Sequence, residues 1–341
     1  MRSARTVAMA LVPVLATAVV AALWLTAPRM SAAPSGSSMP TLPAPGLGYA
    51  AGGPLPAYDY SVAPGVLESV RMYIPDEIMV YRMIHKPPTK ADVRKIAACV
   101  GIVIPDEQYA QISETQDGHR YRVSLNDVDV EVEDDGSFHI AYRNEQPRGT
   151  ESPEAPPDDV VKRVADKYLT RTGLLPEGCR FKSVSTREAV TFTPKGSKDN
   201  VTRVISKTAI YAHYRGGFED GSVVLDVNGG RRVCAVWSSI RNVEPLANYL
   251  ILSPEEAIER LGVDTPVVGP GGTIRRDRRI HKAVIDRIEL VYFAGWNEPT
   301  MQPIYQISGA APGFADRFAG RVLAVRPGYL APPGLGHPGG G

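Results

Sequence analysis

The densest positive charge in the chain is the run Arg275, Arg276, Asp277, Arg278, Arg279, Ile280, His281, Lys282, five cations and one carboxylate in eight residues. Cations packed this closely repel one another and gain most from an anionic surface such as lipid headgroups, an acidic envelope polymer or an acidic protein face. Arg275, Arg276, Arg278, Arg279 and Lys282 are therefore the candidate contacts for an anionic partner; the alternative is an exposed loop ahead of the next strand. Negative charge gathers in Asp127, Asp129, Glu131, Glu133, Asp134 and Asp135. Alternation with Val128, Val130 and Val132 sets the odd-numbered acids along one strand face. Ca²⁺ needs oxygens that converge on one point, whereas a flat strand projects them in a row. A solvated face, opposed by Arg143 or His139 on the returning strand, is the expected role.

The remaining reactive residue types read as structural. Glu255 and Glu256 follow Ser253-Pro254 and suit the positive end of a helix. His213 shares a strand face with Tyr211 and Arg215 and has no second histidine near it in sequence. Cys99, Cys179 and Cys234 are widely spaced and odd in number, which excludes a disulfide framework and a clustered zinc site. Cys99 is expected in the core beside Ile96, and a Cys179–Cys234 bridge stays open. Gly46-Leu47-Gly48 follows no strand and is no dinucleotide loop, and the chain has no HExxH, G-x-S-x-G, P-loop or C-x-x-C. Neither catalytic, cofactor-binding nor metal residues are expected.

These groups must be carried by ordered elements. Arg2 and Arg5 precede Thr6 to Ala27, an uncharged run long enough, at about 1.5 Å per residue, to span a hydrocarbon core of about 30 Å as a helix. Residues 1–32 are expected to be a membrane anchor, or a signal cleaved after Ser31-Ala32-Ala33, with the bulk of the chain outside the cytoplasm. Residues 33–64, rich in Pro, Gly, Ser and Ala, read as a tether and 328–341 as a disordered tail. Basic residues number 38 and acidic ones 37, so no net field points to nucleic acid.

Between tether and tail one order recurs: a capped amphipathic helix, then antiparallel strands. In the first unit, 65–150, Thr89 and Asp92 form a capping pair ahead of Val93, Ile96, Ala97 and Val100, and Asp134-Asp135-Gly136 joins two strands. In the second, 151–250, Asp158 and Asp159 open a helix ending at Gly173, and Asn228-Gly229 predicts a tight type I′ turn. The third, 251–327, opens at Ser253-Pro254-Glu255-Glu256. Helices on antiparallel meanders make an α+β fold of two to three modules behind a transmembrane helix.

The stretch Tyr211-Ala212-His213-Tyr214-Arg215-Gly216-Gly217, the hairpin at Asn228-Gly229 and Ser253-Pro254-Glu255-Glu256-Ala257 together resemble PepSY-like modules of bacterial envelope proteins. Ile288 to Phe293, Gln302-Pro303-Ile304-Tyr305 and a closing strand near Val322 to Val325 resemble the C-terminal part of YycH/YycI-like proteins. The resemblance covers residues 155–327 and implies an extracytoplasmic regulator that modulates a membrane sensor kinase. The expected function is thus an accessory protein of the cell envelope that contacts another envelope or membrane protein, without nucleic acid or cofactor. An architectural subunit and an envelope hydrolase are the alternatives.

Overall fold

The computed structural model describes residues 39–45, 60–115, 119–125, 127–193, 199–261, 283–295, 298–310 and 317–331. The described chain opens with β1 (Tyr60–Val62), α1 (Val66–Arg71), β2 (Glu77–Met83) and α2 (Lys90–Cys99). Four strands follow, β3 (Ser113–Glu114), β4 (Arg120–Leu125), β5 (Val128–Glu133) and β6 (Phe138–Tyr142), then α3 (Asp158–Thr172). After it come β7 (Cys179–Phe192), β8 (Val201–Arg215), β9 (Phe218–Asn228) and β10 (Val233–Ser238). The chain continues through β11 (Val243–Leu250), α4 (Pro254–Glu259), β12 (Ala283–Phe293), β13 (Thr300–Ala310) and β14 (Arg317–Leu323).

All 14 strands join in one mixed sheet, so the expected α+β modules, each a helix on its own meander, are corrected to a mostly β architecture. Eight strands run in the antiparallel order β3-β4-β5-β6-β10-β9-β8-β7, and β6 pairs β10 through Ile140 and Val236, across the expected boundary at residue 150. A second set holds β12, β13 and β14, with β1 parallel to β12 and with β2 and β11 reached through β13. Among the described residues, the two sets are joined within the sheet by one parallel pair, Val291 with Glu219. The physical reason for the correction is that alternation reveals a strand but not its neighbour. Strands β2 and β11, far apart in sequence, bury their apolar faces together in the C-terminal half.

Each set has its own core. In the first, Val93 and Ala97 of α2 and Val161, Ala165 and Leu169 of α3 cover Val130, Ile140, Leu225 and Val236. In the second, Ala257 of α4 packs with Ile78, Ile285, Met301, Tyr305 and Val322. Tyr305 is fully buried and donates its hydroxyl to the Leu252 carbonyl at 2.6 Å, so the ring brings no unsatisfied polar atom inside. The helices start where the sequence puts them: Thr89 with Asp92 and Ser253 with Glu256 form complete capping boxes, and Gly173 closes α3 at φ 66°.

Parts of the expected tether and tail belong to the fold. Leu42 is buried and pairs with Leu330, its N–H donating to the Tyr329 carbonyl at 2.8 Å, and Tyr60–Val62 is strand β1. No helix among the described residues is long and apolar enough to cross a membrane. The expected single-pass helix thus has no counterpart in the described fold; Thr6 to Ala27, on which it rested, lies outside the described residues.

Two hairpins of the first set differ from simple two-residue turns. At Glu133–Ser137, the Gly136 N–H donates to the Glu133 carbonyl at 3.1 Å and the Glu133 N–H to the Ser137 carbonyl at 2.9 Å. At Asn228–Arg232 the Arg231 N–H donates to the Asn228 carbonyl and the Asn228 N–H to the Arg232 carbonyl, both at 3.0 Å. Both are three-residue loops, a type I turn closed by a left-handed residue. The expected type I′ turn at Asn228-Gly229 is therefore corrected: the left-handed residue is Arg231 at φ 60°, and Gly229 instead abuts the Pro153 carbonyl, where no Cβ fits.

The tip of the first hairpin holds both crossings of the described chain between the sets. Leaving β2, the Lys86 N–H donates to the Asp134 carbonyl at 2.9 Å; approaching β11, the Asn242 N–H donates to the Asp135 carbonyl at 2.7 Å. The buried Asp134 carboxylate lies 3.3 Å from His85 Nδ1 and 2.7 Å from His119 Nδ1, and Asp135 pairs with Arg241 at 3.0 Å.

Candidate anion-binding cleft

Helix α3 turns Val161, Ala165, Tyr168, Leu169 and Thr172 into the first core. Val164, Lys167 and Arg171, three and four residues apart, form the adjoining strip. That strip faces the start of β10, where Arg231, Arg232 and Val233 leave the second hairpin, and between them opens a cleft of about 460 Å³. Val100, Val164 and Val233 supply its apolar lining, Tyr142 and Tyr168 its phenols, Lys167, Arg171, Arg231 and Arg232 its cations, and Glu145 its one carboxylate.

The cations are unevenly satisfied. Arg232 pairs with Glu145 at 2.6 Å, and Asn228 fixes that segment by donating to the Glu145 carbonyl at 2.7 Å. Arg171 stacks over the Tyr168 ring at 5.4 Å and sits in the last turn of α3, where the helix dipole favours a cation. Lys167, Arg171 and Arg231 have no carboxylate partner among the described residues, and all three are exposed. The Tyr142 and Tyr168 hydroxyls lie 2.7 Å apart. Burial pushes both phenols above their ordinary range, Tyr168 further because of its neighbour. The cleft can hold an anion against guanidinium and ammonium groups, with an apolar body against the valines.

A second cleft, about 240 Å³, lies where the two strand sets meet, beside Asp220, Ser222, Ser239, Arg241 and Arg321. Its charges are committed elsewhere. Asp220 is held by His213 and by Arg215, the latter at 2.6 Å; Arg241 pairs with Asp135; and Arg321 covers the Phe293 ring at 5.0 Å.

Arg275, Arg276, Arg278, Arg279 and Lys282 lie outside the described residues. The acidic ladder is a paired face: Arg143 grips both oxygens of Asp129 at 2.9 and 2.7 Å, Glu131 meets Arg120 at 3.1 Å, and His139 is the strand neighbour of Glu131. Glu256 caps α4, and Glu255 pairs with Arg71. His213 pairs with Asp220. All three cysteines are free; Cys179 on β7 and Cys234 on β10 have β8 and β9 between them, and burial pushes their thiols up to about 11 and about 12. Sequence reasoning missed Lys167, Arg171 and Arg231. The one local signal was Gly229-Gly230-Arg231-Arg232, two arginines at a hairpin tip. No protein-family model, curated protein or solved structure matches the chain.

Proposed function

We propose that the protein works by binding, as an accessory or regulatory component of the cell envelope that engages an acidic segment of a partner protein through the cleft between α3 and β10. The observation that carries the reading is the make-up of the cleft. Its unpaired charged groups are cations, its apolar lining is aliphatic, and burial holds its two phenols in the protonated form, so it suits holding an anion better than exchanging protons with one. The likeness of residues 155–327 to PepSY-like and YycH/YycI-like proteins supports the regulatory form of the proposal. An extracytoplasmic location is part of it and rests on the apolar N-terminal sequence.

The test is a titration of the full chain with fluorescein-labelled hexaglutamate at several salt concentrations. Binding that weakens with salt, and that falls about tenfold or more when Lys167, Arg171 and Arg231 are all replaced by Ser, supports the proposal. Equal binding by the parent and the triple variant overturns it.

A further inference from the structure

Arg231 is the only non-glycine residue at positive φ among those described. Side chains with a Cβ crowd the backbone there, and glycine is the usual occupant of the third position of this loop type. The matching position of the first hairpin is Gly136 at φ 90°. The strain is not an accident of register, since Gly229 against the Pro153 carbonyl and Asn228 bonded to Glu145 fix which residue falls third. Register explains why position 231 is left-handed; it does not explain an arginine there. Arg231 makes no ion pair among the described residues, and its side chain lines the cleft. Strained backbone of this kind gathers at sites where a side chain is held for a ligand.

The placement of charge narrows the ligand. One unpaired pole, Lys167 with Arg171, lies on the helix wall; the other, Arg231, lies on the hairpin wall, where Arg232 is already neutralised by Glu145. Val100, Val164 and Val233 line the same cleft. An inorganic anion would satisfy one pole and leave the valines wet. We infer that the cleft takes a peptide segment in which one apolar side chain is flanked by carboxylates, the apolar group on the valines, one carboxylate on Lys167 and Arg171 and another on Arg231. This rests on the binding function proposed above and assigns its ligand class and its anchor.

The experiment uses the full chain and two peptides, acetyl-Glu-Glu-Leu-Glu-Glu-amide and the same peptide with Ser for Leu, with inorganic phosphate as competitor. The leucine peptide is expected to bind about tenfold tighter, because burying one such side chain suffices for that factor. Arg231→Gly is expected to weaken the leucine peptide about tenfold while raising the melting temperature by about 2 °C, through relief of backbone strain. Binding that is retained alongside the higher melting temperature makes Arg231 a strained loop residue and overturns its role as anchor. Equal affinity for both peptides, or full displacement by millimolar phosphate, overturns the ligand class while leaving anion binding intact. No salt-sensitive binding of either peptide removes the function proposed above along with this inference.

Discussion

The hairpins at Glu133–Ser137 and Asn228–Arg232 share a loop length, a hydrogen-bond pattern and a left-handed third residue, yet they use glycine in opposite ways. In the first, Gly136 takes the left-handed position and Asp134 and Asp135 point their charges inward to partners. In the second, Gly229 is reserved for a close approach to Pro153 and the left-handed position falls to Arg231. The first turn is built for anchoring. The second holds an arginine at a left-handed position that its contacts fix. A glycine in a turn therefore answers one of two demands, a backbone angle or a missing Cβ, and only the neighbours show which.

The sharpest way to break this comparison is at the glycines. Gly229→Val puts side-chain atoms into the backbone of Pro153 and Glu154, whose carbonyl oxygen lies 2.9 Å from an added Cβ, and is expected to destabilise by about 3 kcal/mol in urea unfolding. A loss under about 1 kcal/mol would mean that Pro153 moves freely. Gly136→Ala is expected to lose about 2 kcal/mol, since it meets the left-handed penalty but crowds only the Asn242 side chain, which can swing away. If Gly136→Ala proves the more damaging, the two glycines have been assigned the wrong roles.

Each hairpin also carries a carboxylate whose response to pH has its own sign. Asp129 on β5 is held far below the usual carboxylate range by Arg143, with Ser124 and Arg122 adding to the effect. Its stabilisation is present above the unfolded value of about 3.9 and fades as pH falls towards the lowered folded value. Asp226 on β9 is pushed up by burial despite Thr208 and Arg187. Its ionisation opposes folding, so stability declines as pH rises from about 3.9 through the raised folded value. In chemical denaturation, Asp129→Asn is expected to lose about 1 kcal/mol at about pH 7 and still more than half of that at about pH 3, because the folded value lies well below both. Asp226→Asn is expected to flatten the decline. Profiles with the same slope would show that the two acids sit in like environments. Equal in size and opposite in sign to the Asp129 effect is Arg231→Gly, a gain of about 1 kcal/mol, which an unchanged unfolding midpoint would refute.

Local chemistry was legible in the sequence and long-range pairing was not. Thr89 with Asp92 and Ser253 with Glu256 mark helix starts because capping is settled within one turn, and Asp129 meets Arg143 because a hairpin brings near residues together. Nothing in Glu77–Met83 names Val243–Leu250 as its neighbour, although Arg82 and Glu244 pair across 162 residues of sequence. The same limit hid the cleft. Lys167 and Arg171 look like an ordinary solvated helix face until β10 brings Arg231 beside them. Nor does any local signal show that β9 and β10 pair into a sheet with the N-terminal strands β3 to β6 while α4 packs in the C-terminal core.

The Asp134-Asp135 tip has a thermodynamic consequence. Melting the second core alone would free both crossings and take Arg241 from the buried Asp135 carboxylate, a state that costs several kcal/mol in a low-dielectric surrounding. Half-unfolded molecules are thereby disfavoured, and the two cores are bound into one cooperative unit by a loop that belongs to only one of them.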